Sequence, residues 1–274
     1  MSLTSLIKDD KELRQKINST FARPKLDKKM PLLVESNTKH AALIGVAFDY
    51  LFRFHLERIN KVDTSKSWVS ELSIERLLAF EGDTEIYNKG IDIINNVKLL
   101  KEKFIETGNL SDDLIKETLR MSYIDPYYRS GFGAEYIGAN ADYEDVTEIK
   151  KQIELLNLDA FTAKHICLLN PTFGEASSLV GGADADFLVD NKLIDIKTTK
   201  KLALSLNDFC QIIGYYVLHE ISGINGNKKI EINQVGIYYS RYAYLFLFNV
   251  HDIIDKEELN LFVKWFINRL EKNC

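Results

Sequence analysis

Three carboxylates and an ammonium group, Asp184, Asp186, Asp195 and Lys197, fall within one short stretch, GGADADFLVDNKLIDIKTTKK at 181–201. Two runs rich in Val, Ile, Leu, Phe and Thr, 185–189 and 192–198, flank Asp190-Asn191. That pattern predicts a β-hairpin with a two-residue turn. With Val189 opposite Lys192, counting outward sets Asp186 opposite Asp195 and Asp184 opposite Lys197. Alternation gives each strand's charged residues a common face. Opposed Cβ atoms stand ~4.5–5.5 Å apart, so like charges there repel unless compensated. Phe187, Val189, Leu193, Ile194 and Ile196 between them call for a core, where unpaired charges cost several kcal/mol. A divalent cation removes the objection, because Mg²⁺ takes carboxylates, waters and phosphate oxygens. Lys197 beside it would hold an attacking water or neutralise charge on a phosphate. The plain alternative is an exposed edge hairpin with solvated charges and a Lys–Asp pair.

The order Asp186, hydrophobic run, turn, Asp195-Ile196-Lys197 resembles the D…(D/E)-x-K core of the PD-(D/E)XK nuclease superfamily. Gly181-Gly182 before it and Thr198-Thr199 after it fit the resemblance. Gln211-Ile-Ile-Gly-Tyr215 looks like the Q-x-x-x-Y motif of the RecB-like and lambda-exonuclease-like branch. The likeness covers about 170–220. It implies a restriction-endonuclease-like α/β fold and metal-dependent hydrolysis of phosphodiester bonds, in DNA first of all. Asp186, Asp195 and the Ile196 carbonyl would then hold Mg²⁺ or Mn²⁺, with Lys197 and Gln211 catalytic and Tyr215 near the substrate. Members of that branch carry G-x-x-x-H on the first core helix. Gly45-Val-Ala-Phe-Asp49 has that spacing with Asp for His, which makes Asp49 a further candidate metal ligand and Glu57 a reserve.

The positioning elements follow from periodicity and punctuation. Residues 5–20 predict a short surface helix, and Arg23-Pro24 and Met30-Pro31 an irregular connection. A helix capped by Ser36 or Asn37 and running to about Asn60 is apolar on nearly every side until Arg53, so it reads as buried. Asp49, Arg53 and Glu57 form an i, i+4, i+8 stripe on it, either a seam of ion pairs or a face turned to the hairpin. His40 and His55 read as helix-surface residues. Helices are expected at 70–80, 85–106, 112–121 and 144–156, broken at Glu81-Gly82, Gly108-Asn109 and Asp125-Pro126. Tyr123, Tyr127, Tyr128 and Arg129 near the end of this block would pack in a core or stack on unpaired bases. Residues 163–180 read as the first strand, with Glu175 in it or in a loop. A helix at 208–221 with Asn207 as cap sets Gln211 and Tyr215 one turn apart. Strands at 232–239 and 242–250 around Ser240-Arg241, and a helix at 256–271, complete the chain. The implied organisation is an N-terminal segment 1–35, a first core helix 36–60, a helical lobe 61–158 and a nuclease core 159–274. Alternating strands and helices around a mixed sheet make the class α/β.

Composition bounds the rest. The 274 residues, 46% hydrophobic and 27% charged, suffice for one large or two small domains. A net charge of −5 argues against a non-specific nucleic-acid coat. Lys192, Lys197, Lys200 and Lys201 nevertheless give the hairpin the local sign for phosphate, with Lys200 a candidate substrate contact. Cys167, Cys210 and Cys274 have neither disulfide nor zinc spacing, which predicts a reducing cytoplasm. The apolar stretches are too short for a membrane span, and the first residues turn charged too soon for a secretory segment. The expected partner is nucleic acid, with a protein partner or homo-oligomer compatible. The alternative function is an inactive nuclease-fold protein that binds nucleic acid or a protein partner.

Overall fold

The computed structural model describes residues 2–62 and 66–273; Cys274 lies outside the described residues. In chain order the elements are α1 (Leu3–Asp9), α2 (Lys11–Thr20), α3 (Ala41–Ile59), α4 (Val69–Glu81), α5 (Thr84–Thr107), α6 (Asp112–Ser122), α7 (Asp125–Ser130), α8 (Tyr143–Glu154), β1 (Cys167–Leu169), α9 (Glu175–Leu179), β2 (Phe187–Val189), β3 (Lys192–Lys197), α10 (Leu206–Ser222), β4 (Gln234–Tyr239), β5 (Tyr244–Asn249) and α11 (Lys256–Asn273). They form two compact units. A sheet unit comprises Met1–Pro31, Ala163–Tyr239 and Tyr244–Cys274, and a helical unit comprises Leu32–Thr162 and Ser240–Ala243.

The sheet unit is α/β. Its five strands lie in the order β1-β2-β3-β4-β5, antiparallel except for the parallel pair β3–β4. A parallel pair needs a crossover, and α10 supplies it. Phe187, Leu188, Val189, Leu193 and Ile194 are fully buried; covering a side chain of that size stabilises by roughly 1.5–3 kcal/mol. Gly236 is demanded by the sheet, because a Cβ there would come within 2.2 Å of the Phe246 carbonyl oxygen. On α10, Gly214 lets α1 approach, with Leu3 side-chain carbons 3.0–3.1 Å from where its Cβ would be.

The first helical stretch differs from expectation. Asp10 takes an extended conformation that ends α1, and its carboxylate accepts from Leu13 N (2.9 Å) to start α2. Leu3, Ile7, Leu13 and Ile17 are buried, and both helices pack against α10. They are amphipathic elements of the core, not a polar surface helix. Arg269 of α11 holds Asp10 at 2.8–3.0 Å, and Phe21 meets Phe262 edge to face.

In the helical unit, α3 is buried over Ile44, Ala47, Phe48, Tyr50–Phe52, Phe54 and Leu56, as its composition predicts. It packs on α5, α6 and α8, so residues 36–60 belong to the helical unit. Its N-cap is His40, without a side-chain capping bond, and not Ser36 or Asn37. His55 is not a surface residue: its ring stands edge-on to Phe104, 4.7 Å between centroids. Burial, then Arg58, lowers its pKa to about 4. Gly108 ends α5 in the left-handed region (φ 72°), where only glycine avoids a steric cost. The helical run breaks before Asp125-Pro126 as expected, and α7 then starts there, because proline is tolerated in the first turn, where its missing N–H has no partner to lose. Within the aromatic cluster, Tyr127 is buried and donates to Glu81 (2.6 Å), Tyr123 stacks on Tyr136, and Tyr128 is exposed.

Candidate metal-binding hairpin

The hairpin forms in the expected register. Val189 pairs with Lys192, Leu188 with Leu193 and Phe187 with Ile194. Asp190 carries the positive φ (54°) of the turn, which Asp tolerates better than most residues. Its carboxylate also accepts from the backbone N–H groups of Lys164 (3.1–3.2 Å), His165 (2.8 Å) and Ile166 (3.2 Å). Burial alone would raise its pKa, but these three donors lower it.

Beyond Phe187 the strands part, and two expectations change. The backbone of 184–186 stays with the chain leaving β1: Asn170 N donates to Asp186 O (2.9 Å), Ala185 N to Pro171 O (3.1 Å), and Asp184 bridges Thr172. Asp184 therefore does not sit opposite Lys197 in a ladder. β3 continues beside β4, with Asp195 next to Ile237 and Lys197 next to Tyr239. The Ile196 N–H, without a β2 carbonyl, donates to Asp186 Oδ2. A carboxylate thus replaces a ladder acceptor and is held at the mouth of the hairpin. The predicted first strand shrinks to β1, and exposed Glu175 begins the short α9.

Asp195, Lys197 and Gln211 form one hydrogen-bonded set. Asp195 is 3% exposed, and its Oδ2 lies 2.7 Å from Lys197 Nζ. Gln211 Nε2 donates to Asp195 Oδ1 (3.1 Å) and to the Tyr215 hydroxyl (3.0 Å), while Gln211 Oε1 accepts from Lys197 Nζ (2.9 Å). One amide therefore reads both partners of the ion pair. Helix α10 supplies it because Ser205, not Asn207, caps the first turn, accepting from Asp208 N (3.1 Å). Asp208 stands 4.0 Å from Lys197. The sequence reading missed Asp208, although Ser205-x-x-Asp208 has the spacing of a capping box. Tyr215 is buried and stacked on Phe173 (5.5 Å between centroids), so its hydroxyl steadies Gln211 from behind.

Burial raises the Asp195 pKa against the pull of Lys197, with Asp208 and Asp184 adding to the rise. For Lys197, burial acts to lower the pKa, but Asp195, Asp186 and Asp208 outweigh it and keep the ammonium protonated. Tyr215 is pushed well above the usual phenol range by burial and by Asp195 and Asp186, so it stays neutral. Carboxylates of Asp195, Asp186 and Asp208 thus act on the Lys197 ammonium, and exposed Asp184 adds to the negative field at Asp195. Such an excess of hard oxygen donors is chemically suited to Mg²⁺ or Mn²⁺.

The other named residues are placed as follows. Lys200 is exposed in the loop after β3. Asp49 lies in the helical unit on α3 and pairs with Arg53, while Glu57 binds Lys101 Nζ (2.9 Å). Of the expected i,i+4 seam, the Asp49–Arg53 pair forms, whereas Glu57 pairs with α5. Comparison of the chain with family models, with curated proteins and with solved structures returned no match.

Proposed function

We propose that the chain is a divalent-metal-dependent nuclease that hydrolyses phosphodiester bonds, with DNA as the substrate class. The observation that carries this reading is the Asp195–Lys197–Gln211 set beside the anchored Asp186 carboxylate. Apart from the five-residue α9 between β1 and β2, the order β1, β2, β3, α10, β4 is also the one expected of a restriction-endonuclease-like core.

Asp186 and Asp195 would hold Mg²⁺ or Mn²⁺, with the carbonyl of Ile196, the residue after Asp195, as a third donor. Bound there, the ion would polarise a phosphate oxygen and lower the pKa of a coordinated water. Lys197, kept protonated by Asp195, Asp186 and Asp208, would offset charge developing on the phosphate in the transition state. Gln211 keeps Asp195 and Lys197 in register, and Tyr215 keeps Gln211 in its rotamer. Lys200 extends the positive edge toward a polyanion.

The test is cleavage of labelled linear and circular DNA with Mg²⁺, Mn²⁺ or EDTA by the wild type, Lys197→Ala and Asp195→Ala, with RNA as a parallel substrate. Metal-dependent cutting by the wild type, reduced at least a hundredfold in both variants, is expected. Unchanged activity in Asp195→Ala would sink the assignment. Tight DNA binding by the wild type without cleavage under any divalent ion would favour the non-catalytic binding protein.

A further inference from the structure

In the helical unit, the N-terminal ends of α3 and α8 bring three ligand-bearing side chains together. His40 Nδ1 stands 2.8 Å from Asp145 Oδ2 and 3.5 Å from Asp142 Oδ2. One ligand atom from each residue lies within 4.8 Å of the others. Asp142 is the N-cap of α8, yet its side chain makes no capping bond. Asp145 is the sharper observation. Its side chain is 1% exposed, and its Oδ1 has no hydrogen-bond partner among the described residues. Leaving a desolvated carboxylate oxygen unpaired is costly, and a single imidazole contact on Oδ2 does not relieve it.

The spacing suits a metal ion. Zinc takes histidine nitrogen and carboxylate oxygen at about 2.0–2.2 Å, and a tetrahedron with arms of that length has edges of roughly 3.4 Å. The two His40–carboxylate distances bracket that edge. His40 and Asp142 are 40% and 63% exposed, so remaining coordination positions face solvent. An imidazole among the donors selects ions of the Zn²⁺ class over Mg²⁺, unlike the all-oxygen donors at the hairpin.

We propose that His40, Asp142 and Asp145 form a site for a divalent transition ion of the Zn²⁺ class that ties the start of α3 to α8. The site is independent of the nuclease reading.

The test uses the full chain, freed of metal with a chelator and titrated with Co²⁺, whose visible absorption reports nitrogen–oxygen coordination and which Zn²⁺ displaces. The expected result is one Co²⁺ per chain with a nitrogen-containing coordination spectrum, apart from any all-oxygen Co²⁺ at the hairpin, and bound at least tenfold more weakly in both His40→Gln and Asp142→Asn. Both residues are partly exposed, so both variants should keep the wild-type circular dichroism. Asp186→Asn/Asp195→Asn should leave this signal intact. The proposal is overturned if the wild type shows no saturable Co²⁺ signal. It is equally overturned if His40→Gln binds as the wild type does, or if the signal disappears only in the hairpin variant.

Discussion

Gln211 shows how much one neutral side chain decides. Its amide donates to Asp195, accepts from Lys197 and rests on Tyr215, so it sets the geometry of two charged groups without adding charge. On the proposed nuclease reading, Gln211→Ala should weaken Mn²⁺ binding and slow DNA cleavage by about 10–100-fold, the usual cost of losing a partner that orients metal ligands. Calorimetric Mn²⁺ titration beside the cleavage rate would check this, with circular dichroism unchanged. In the helical unit, Asp125 makes a contrasting case. Burial raises its pKa to about 7, partly opposed by the Tyr50 hydroxyl that donates to both carboxylate oxygens (3.0 and 3.1 Å). The folded state therefore favours the neutral acid. This contribution is complete below pH ~3.8 and is lost as pH rises through about 7. Asp125→Asn, which still accepts from Tyr50, should flatten that part of the stability profile in denaturant titrations between pH 4 and 8. An unchanged slope would refute it.

At the scale of elements, the hairpin depends on its turn more than its two short strands suggest. Asp190 both adopts the positive φ and collects three backbone N–H groups of the segment entering β1. Asp190→Ala should destabilise the protein by about 1 kcal/mol, because two exposed backbone donors and the part-buried Ile166 N–H lose their acceptor together. The wild-type advantage should fade in acid, since a lowered carboxylate pKa stabilises only while the group is ionised. Urea midpoints at pH 7 and pH 3 would measure both effects. The hairpin register was legible because a two-residue turn between β-branched runs leaves little freedom. The fate of 184–186 was not, since it depends on Asn170 and Pro171 drawing the backbone toward β1. Helix ends marked by Gly82 and Gly108 were readable for a similar local reason. The caps at Ser205 and His40 were misplaced, because neighbouring Ser and Asn residues offer equivalent local signals.

For the whole molecule, the division into units ignores chain order. The segment Ser240–Ala243 belongs to the helical unit although it connects two strands of the sheet. Arg241 is 1% exposed and pairs with Glu148, whose other oxygen accepts from Asn37 N (3.1 Å); the Arg241 carbonyl accepts from Leu33 and Val34 N. Removing one partner leaves a buried, uncompensated charge, so Glu148→Ala should cost about 3–5 kcal/mol. Thermal unfolding of that variant beside Glu148→Ala/Arg241→Met would show the penalty largely relieved in the double change. An equal penalty in both would locate the cost elsewhere. Among the described residues, no helix is long and apolar enough to cross a membrane.

The amino-acid sequence by itself determined the mixed α/β character, the buried α3, most helices and the hairpin that brings Asp195 and Lys197 to one face. These follow from periodicity and turn chemistry acting over a few residues. Only the tertiary structure decided that Asp186 is anchored by a backbone N–H, that Gln211 reads both members of the ion pair, and that Asp49 is engaged with Arg53. It also decided the burial of Arg241 and the meeting of His40 with Asp145. Each of those outcomes joins positions remote in the chain or several possible partners, and only packing selects among them.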